Sequence, residues 1–415
     1  MARVFRAIFF GLILLSSFAA RVGAGTLEDA TAALDRRDFA TALRLFRPLA
    51  DQGNAAAQVF LAVMFIAGRG VPQDNTEAVR RLRNAADQGN AFARCLLGHA
   101  NTTDQGILRS DIEVLQRPQE AADQGNAFAQ CLLGVMYYAG DHVRQDYAEA
   151  AKWFRKAADQ GNAYAQSRLA VLYFSGRGAP RDVAEAAKWS RKAADQGNAD
   201  AQAMLGALYA DGAGVQRDYV EAAKWLRLAA DQGNDLASFG LGRMYYNGQG
   251  VTQDYAEAAK WVRKAADQEN AGAQLRLAAM YYWGQGVPQD DAESVKWLRK
   301  AADQGNADAE GGLGEMYGAG RGVLQDHAEA AKWLQKAADQ GNANAQYDLG
   351  IAYFKGLGVP QDYAIAYMWL SLGAAGGNKD AAKFRDALTA NMTPAQITEA
   401  QRLAREWKPA KNDLY

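Results

Sequence analysis

An all-α solenoid of stacked helix-turn-helix units is the fold class that this chain of 415 residues predicts, on three observations. The string Ala-Asp-Gln-Gly-Asn, or a near copy, returns every 36 residues with its Asp at nine positions from Asp51 to Asp339. Each period holds two stretches whose apolar residues recur at helical spacing. No β-branched alternating run competes with them. Self-similarity at a period of about 20 to 50 residues is the mark of stacked repeats, each burying its apolar face against the next.

The first element stands outside the repeats. Met1 to Arg6 carries two arginines, Ala7 to Phe18 is a largely apolar run of 12, and Val22-Gly23-Ala24 ends in small residues. That is the pattern of a secretory signal peptide over residues 1–24. Twelve residues are too few for a hydrocarbon layer that needs roughly 20, so no membrane span is expected. The chain is expected to be exported, periplasmic or secreted. Residues 25–53 follow as a capping half-repeat in which Asp38, Ala42 and Ala50 keep the phase of the array.

Nine repeats occupy residues 54–377 without insertion or deletion. In residues 126–161, Asn126 is a natural helix cap, and Ala129, Leu133, Gly134 and Tyr137 lie on one helical face. A turn falls at Gly140 to Val143, where other repeats read Gly-x-Gly-Val. Asp146 then opens a second helix, and Glu149 three residues on completes the pattern of a capping box. Ala150, Trp153, Phe154, Ala157 and Ala158 give that helix its apolar face, and Gly161 ends it. We call the two helices of a repeat A and B.

Aligning the repeats with one another separates scaffold from surface. One A-helix column is Ala throughout, from Ala57 to Ala345, and the next is Leu throughout, from Leu61 to Leu349. The column after Leu holds only Ala or Gly, which lets helices approach closely; a larger side chain there costs about 1–3 kcal/mol. The recurring Tyr column from Tyr137 to Tyr353 and Trp column from Trp153 to Trp369 read as core.

The unit Ala-x-x-x-Leu-Gly-x-x-Tyr, Gly-x-Gly-Val, Asp, Ala, Trp and closing Ala-Ala-x-x-Gly resembles the Sel1-like repeat family, relatives of tetratricopeptide repeats of the bacterial exported type. The resemblance implies a right-handed superhelix whose A helices line a concave groove used for protein contacts. The second repeat, residues 90–125, is degenerate: Asn101 replaces the Tyr near the turn, Asp104 replaces the first turn Gly, and Pro118 falls within the second helix. Proline there is expected to kink that helix and bend the superhelix near residues 100–120. Glu269 occupies a slot otherwise held by Gly and is strained if left-handed. Residues 378–415 read as capping helices, with Thr393, Pro394 and Gln396 forming a helix start and the helix to Trp407 covering the last repeat.

The only two cysteines, Cys95 and Cys131, share a column of adjacent repeats. Equivalent helices of a stack lie about 8–10 Å apart or more, beyond the roughly 7 Å Cα limit for a bridge, so no disulfide is expected. This sets the chain apart from cysteine-rich Sel1-like proteins, which pair a cysteine within each repeat.

Specificity belongs where repeats differ. If tetratricopeptide geometry transfers, positions 5 and 2 before the invariant Leu, and 2 and 5 after it, face the groove. The first of these columns supplies Phe128 and Tyr164. The fourth supplies Tyr138, Phe174, Tyr246, Tyr282 and Phe354, interrupted by Thr102, Ala210 and Gly318, with Trp283 alongside. Arg168, Arg243 and Arg276 lie near, and exposed aromatics with arginine have the composition of binding hot spots. The same aromatics could equally pad the next repeat's helix; the sequence leaves both open.

Catalysis finds no support. There is no GxSxG, SxxK, HExxH or GxxxxGK pattern. The three histidines are scattered, His142 in a turn and His327 after a helix-capping Asp. No catalytic residue, cofactor or metal site is expected. A formal net charge of −1 argues against bulk nucleic-acid binding, which needs clustered positive charge. The reading is a non-enzymatic exported scaffold that holds a protein or peptide partner in its groove, with a role in regulating or assembling envelope proteins. A cell-wall or β-lactam hydrolase and a secreted effector acting on a host are the competing classes. Partner identity and oligomeric state are not legible.

Overall fold

The computed structural model describes residues 24–36, 38–100, 118–140 and 143–409. The predicted signal peptide lies outside these residues but for Ala24. So do the turn residues Asp104 and His142 and the stretch 101–117 where a bend was expected. Among the described residues every regular element is helical, and no helix is long and apolar enough to cross a membrane.

The chain divides into two compact halves, Met1–Asp218 and Tyr219–Tyr415. The N-terminal half contains α1 (Ala24–Asp35), α2 (Phe39–Asp51), α3 (Ala55–Ala67), α4 (Asn75–Asp87), α5 (Ala91–Ala100), α6 (Pro118–Asp123), α7 (Ala127–Ala139), α8 (Tyr147–Asp159), α9 (Ala163–Ser175), α10 (Val183–Asp195) and α11 (Ala199–Asp211). The C-terminal half contains α12 (Tyr219–Asp231), α13 (Asp235–Asn247), α14 (Tyr255–Ala266), α15 (Ala271–Trp283), α16 (Asp291–Asp303), α17 (Ala307–Ala319), α18 (His327–Asp339), α19 (Ala343–Lys355), α20 (Tyr363–Ala375), α21 (Lys379–Leu388) and α22 (Pro394–Glu406). Within each half, consecutive helices pack as antiparallel A and B pairs.

Each A helix is set by its caps. The Asn162 side chain accepts from the Ala165 amide at 2.9 Å, and Gly176 closes the helix in the left-handed region at φ 72°. Every B helix of repeats three and four starts on an Asp whose own amide donates to the Tyr carbonyl ending the A helix, as Asp182 does to Tyr173 at 2.9 Å. The expected Asp-x-x-Glu capping boxes form only by half. Asp146 accepts from the Glu149 amide at 3.0 Å, but Glu149 itself receives Lys152 at 2.5 Å. Glu257 receives both Lys260 and the Trp261 indole, at 2.9 and 3.1 Å. A lysine one turn on competes for the carboxylate, and the box closes in both directions at Thr393 and Gln396, where glutamine meets no such cation.

The small-residue column works by contact. A Cβ added at Gly314 would fall 2.5 Å from the Leu334 side chain, and one at Gly350 2.8 Å from Leu370. Polar ladders join successive repeats. Gln196 donates to Gln166 at 2.8 Å, Gln304 to Gln274 at 2.9 Å, and a B-helix arginine reaches the tyrosine hydroxyl of the next A helix, as Arg263 does to Tyr281. At the end of the chain α22 lies on the last repeat, with Trp407 edge-on to Trp369 at 6.2 Å between ring centres.

The expected kink at Pro118 concerns residues before it that lie outside the described residues; Pro118 opens the described segment of α6. One expectation about the second repeat is corrected. The cysteines do form a disulfide, Cys95 to Cys131, with Cα atoms 6.0 Å apart. The 8–10 Å spacing assumed for stacked helices fails here because α5 lies directly on α7 and also touches α9, a proximity that other A helices two repeats apart do not reach. The six-residue α6 is the sole B-helix segment described between them.

Glu269 is the one non-glycine residue with positive φ among the described residues, at 65°. The residue at this slot in other repeats is Gly, and Gly233 has open space where a side chain would start, so the cost at Glu269 is backbone strain and not collision. Glu269→Gly relieves about 1–2 kcal/mol of strain and returns part of it as unfolded-chain entropy. A rise in melting temperature of roughly 1–4 °C is expected by calorimetry. An unchanged or lower value would show that the glutamate gains a compensating contact.

Candidate protein-binding face

The residues expected in the groove come from the A helices, and the two halves treat them differently. In the N-terminal half the face is occupied. Phe128 is fully buried against Phe92 of α5, ring centres 5.4 Å apart and perpendicular. Tyr164 is buried at 7% exposure, with the Arg168 guanidinium 5.1 Å over its ring. Arg168 and Arg94 both pair with Asp200, at 3.2 and 3.1 Å. The Asn162 amide also donates to the Cys95 carbonyl at 3.2 Å. Thus α5 folds across the A helices of repeats three to five, and Phe128 and Tyr164 present no surface to a ligand. This placement was not legible: the degenerate repeat kept its count of 36, so it read as a deformed member of the stack.

At the edge of that half Tyr138 is half-buried, edge-on to Tyr147 of its own repeat at 5.3 Å, and Phe174 is exposed at 42%. The C-terminal half leaves its A-helix face open. Arg243 and Arg276 are exposed, and the Arg276 guanidinium lies 5.2 Å over the half-buried Tyr246 ring. The Tyr246 hydroxyl donates to Gln285, in the turn of the next repeat, at 2.7 Å. Tyr282 stands edge-on to Trp283 at 4.7 Å and receives the Arg321 guanidinium 4.1 Å over its ring. Arg321 is in turn held by Asp291 at 2.9 Å. Trp283 itself is 67% exposed. Phe354 differs: it packs on Phe384 of α21 at 5.5 Å and on Tyr363 at 5.7 Å, as part of the C-terminal cover.

The aromatic column therefore has two duties. Its rings rest on the start of the B helix in the same repeat, Tyr138 on Tyr147 and Tyr246 on Tyr255, and Tyr246 also meets Arg276 of the next repeat's A helix. Their free edges, with Trp283 and the arginines, form an amphipathic strip on α13 and α15. Large apolar side chains left in water beside guanidinium groups suit contact with a protein surface. Among the described residues no group of His, Cys, Asp and Glu is placed to hold a metal ion.

Such a stack of helical hairpins, with an invariant interior and a variable A-helix face, defines a helical-repeat scaffold. The chain belongs to the Sel1 repeat family: the family model matches residues 32–54, 55–90, 127–162, 163–198, 199–234, 235–270, 271–306, 307–342 and 343–378. The degenerate second repeat falls in the one gap of that series. Sel1-repeat proteins are in general protein-interaction scaffolds. No curated protein matches the chain. Among solved structures it is similar to a protective antigen of uropathogenic Escherichia coli that displays an SLR fold, with 30% identity over 95% of this chain and 94% of that one and a TM-score of 0.51. It is also similar to a Sel1 repeat protein from Oxalobacter formigenes, with 36% identity over 79% of this chain and 93% of that one and a TM-score of 0.54.

Proposed function

We propose that this protein is an exported, non-enzymatic scaffold that holds a protein or peptide partner against the A-helix face of its C-terminal half, in the service of regulating or assembling envelope proteins. The observation that carries the reading is the strip of Arg243, Tyr246, Arg276, Tyr282 and Trp283, because a Trp that is 67% exposed leaves most of its ring in water beside two arginines. The rigid repeats hold these side chains in place before binding, which lowers the entropy cost of association. Export is supported by the basic and apolar pattern of the first 24 residues and by the disulfide, since disulfides persist in oxidising compartments.

The test is crosslinked affinity capture from the native envelope fraction, comparing the unaltered protein with Arg243→Ala/Arg276→Ala/Trp283→Ala. All three side chains are exposed, so the variant is expected to fold alike and to lose about 2 kcal/mol or more of binding, a drop in capture of at least tenfold. Equal capture would move the contact to another face. Absence of any specific partner, or recovery of the protein in the culture medium alone, would favour the effector class.

A further inference from the structure

In the C-terminal half the aromatic column is broken once. Neighbouring repeats place Tyr246, Tyr282 and Phe354 there, and repeat eight places Gly318. Without that ring a cavity of about 280 Å3 opens between α17, α18 and α19. Its walls are mostly aliphatic, from residues such as Leu334, Ile351 and Leu357. Two carboxylates also line it, Glu315 on the exposed edge of α17 and Asp348, half-buried, on α19.

Neither carboxylate pairs with a cation among the described residues. Three cations on nearby elements are engaged elsewhere: Lys332 with Glu329 at 3.1 Å, Lys336 over the Trp333 ring at 4.0 Å, Arg321 with Asp291. His327 lines the cavity on α18. Removal from water pushes the half-buried Asp348 carboxyl above the usual range, and the neighbouring Glu315 charge helps carry it to about 7. Two like charges facing one apolar cavity repel each other, and the half-buried Asp348 lacks part of the hydration that would offset it; a cation placed between them relieves both costs.

We propose that this cavity receives a lysine or arginine side chain of the protein partner, its aliphatic stem along Leu334, Ile351 and Leu357 and its charged end at Glu315 and Asp348. A long stem ending in a positive charge matches both the apolar walls and the acidic rim, which a hydrated metal ion or an apolar side chain does not. The inference rests on the scaffold reading above and names one anchor of its partner.

The probe is a library of random dodecapeptides displayed against the full chain and against Glu315→Gln/Asp348→Asn. One selected peptide and its counterpart with norleucine in place of the basic residue are then compared by fluorescence polarisation. The substitutions keep shape and remove a repulsion, so the variant is expected to be at least as stable as the unaltered protein. The expected result is a basic residue enriched at one peptide position, about tenfold weaker binding of the norleucine peptide, and a similar loss for the double variant. Selected peptides with no basic preference, or equal binding to the double variant, overturn the cavity assignment and leave the scaffold reading standing. Failure of the scaffold reading looks different: neither protein enriches any peptide, and the cavity assignment falls with it.

Discussion

Gly286→Ala is expected to cost about 2–4 kcal/mol, the largest effect of any single methyl group added to this protein. Gly286 is the second glycine of a Gly-x-Gly turn and sits at φ 73°, where an alanine is strained by about 1 kcal/mol. Strain is the smaller part. A Cβ at Gly286 would lie within bonding range of the Tyr255 carbonyl, and 2.8 Å from the Ala256 amide, at the start of the preceding repeat's B helix. Those are backbone atoms of a helix end and cannot rotate away, so relief requires the two repeats to separate, an overpacking cost of about 1–3 kcal/mol. The same contact recurs at Gly178 with Tyr147, Gly214 with Val183 and Gly358 with His327. For a half of this size the melting temperature should fall by roughly 5–15 °C. Gly233→Ala is the control: φ is 91°, nothing lies within 4 Å of the added carbon, and only the strain of about 1 kcal/mol is expected. Equal losses in the two variants would show that the turn-to-helix contact does not hold the repeats in register.

That contrast also marks how far the sequence could be read. The 36-residue period, the Ala and Leu columns and the Gly turns were visible because each repeat must present the same surface to its neighbour, and identical demands leave identical residues. The reason for the second glycine was not visible, because the atom it avoids belongs to the repeat before. The face was half legible. Trp283, Arg243 and Arg276 could be found as departures from the column pattern, and they lie exposed. Phe128 and Tyr164 departed from it in the same way but are covered by α5, which crosses three repeats in a manner no spacing encodes. Gly318 appeared only as an interruption of the aromatic column, and the cavity it opens depends on Asp348 and Ile351 from the following repeat. The glutamates after the B-helix caps were assigned to capping, yet they bond forward, because a lysine and a Trp indole one turn on reach them first.

Breaking the disulfide is the second large effect expected, and it follows from where α5 lies. Cys95 and Cys131 are 36 residues apart, and closing a loop of that length removes about 4 kcal/mol of chain entropy from the unfolded state. What remains to hold α5 after reduction is non-covalent: Phe92 and Ala93 buried in the N-terminal core, the Arg94 bond to the Ala86 carbonyl at 2.9 Å, the Asn162 bond to the Cys95 carbonyl and the Arg94 pair with Asp200. The last is partly exposed, its side chains at 30% and 35%, and such pairs contribute about 1 kcal/mol or less. Calorimetry with a reductant, and of Cys95→Ala/Cys131→Ala without one, should therefore show the N-terminal half melting roughly 8–15 °C lower. In a repeat protein the loss should stay local, since stability is a sum of neighbouring contacts. Hydrogen exchange should accordingly show amides of α5 and α7 losing protection while those of α15 to α19 keep theirs. The two routes to the broken bond must agree. If the reductant lowers stability and the alanine pair does not, the reductant acts elsewhere. If neither moves the transition, the remaining contacts of α5 are enough to hold it against α7 and α9 without the covalent link.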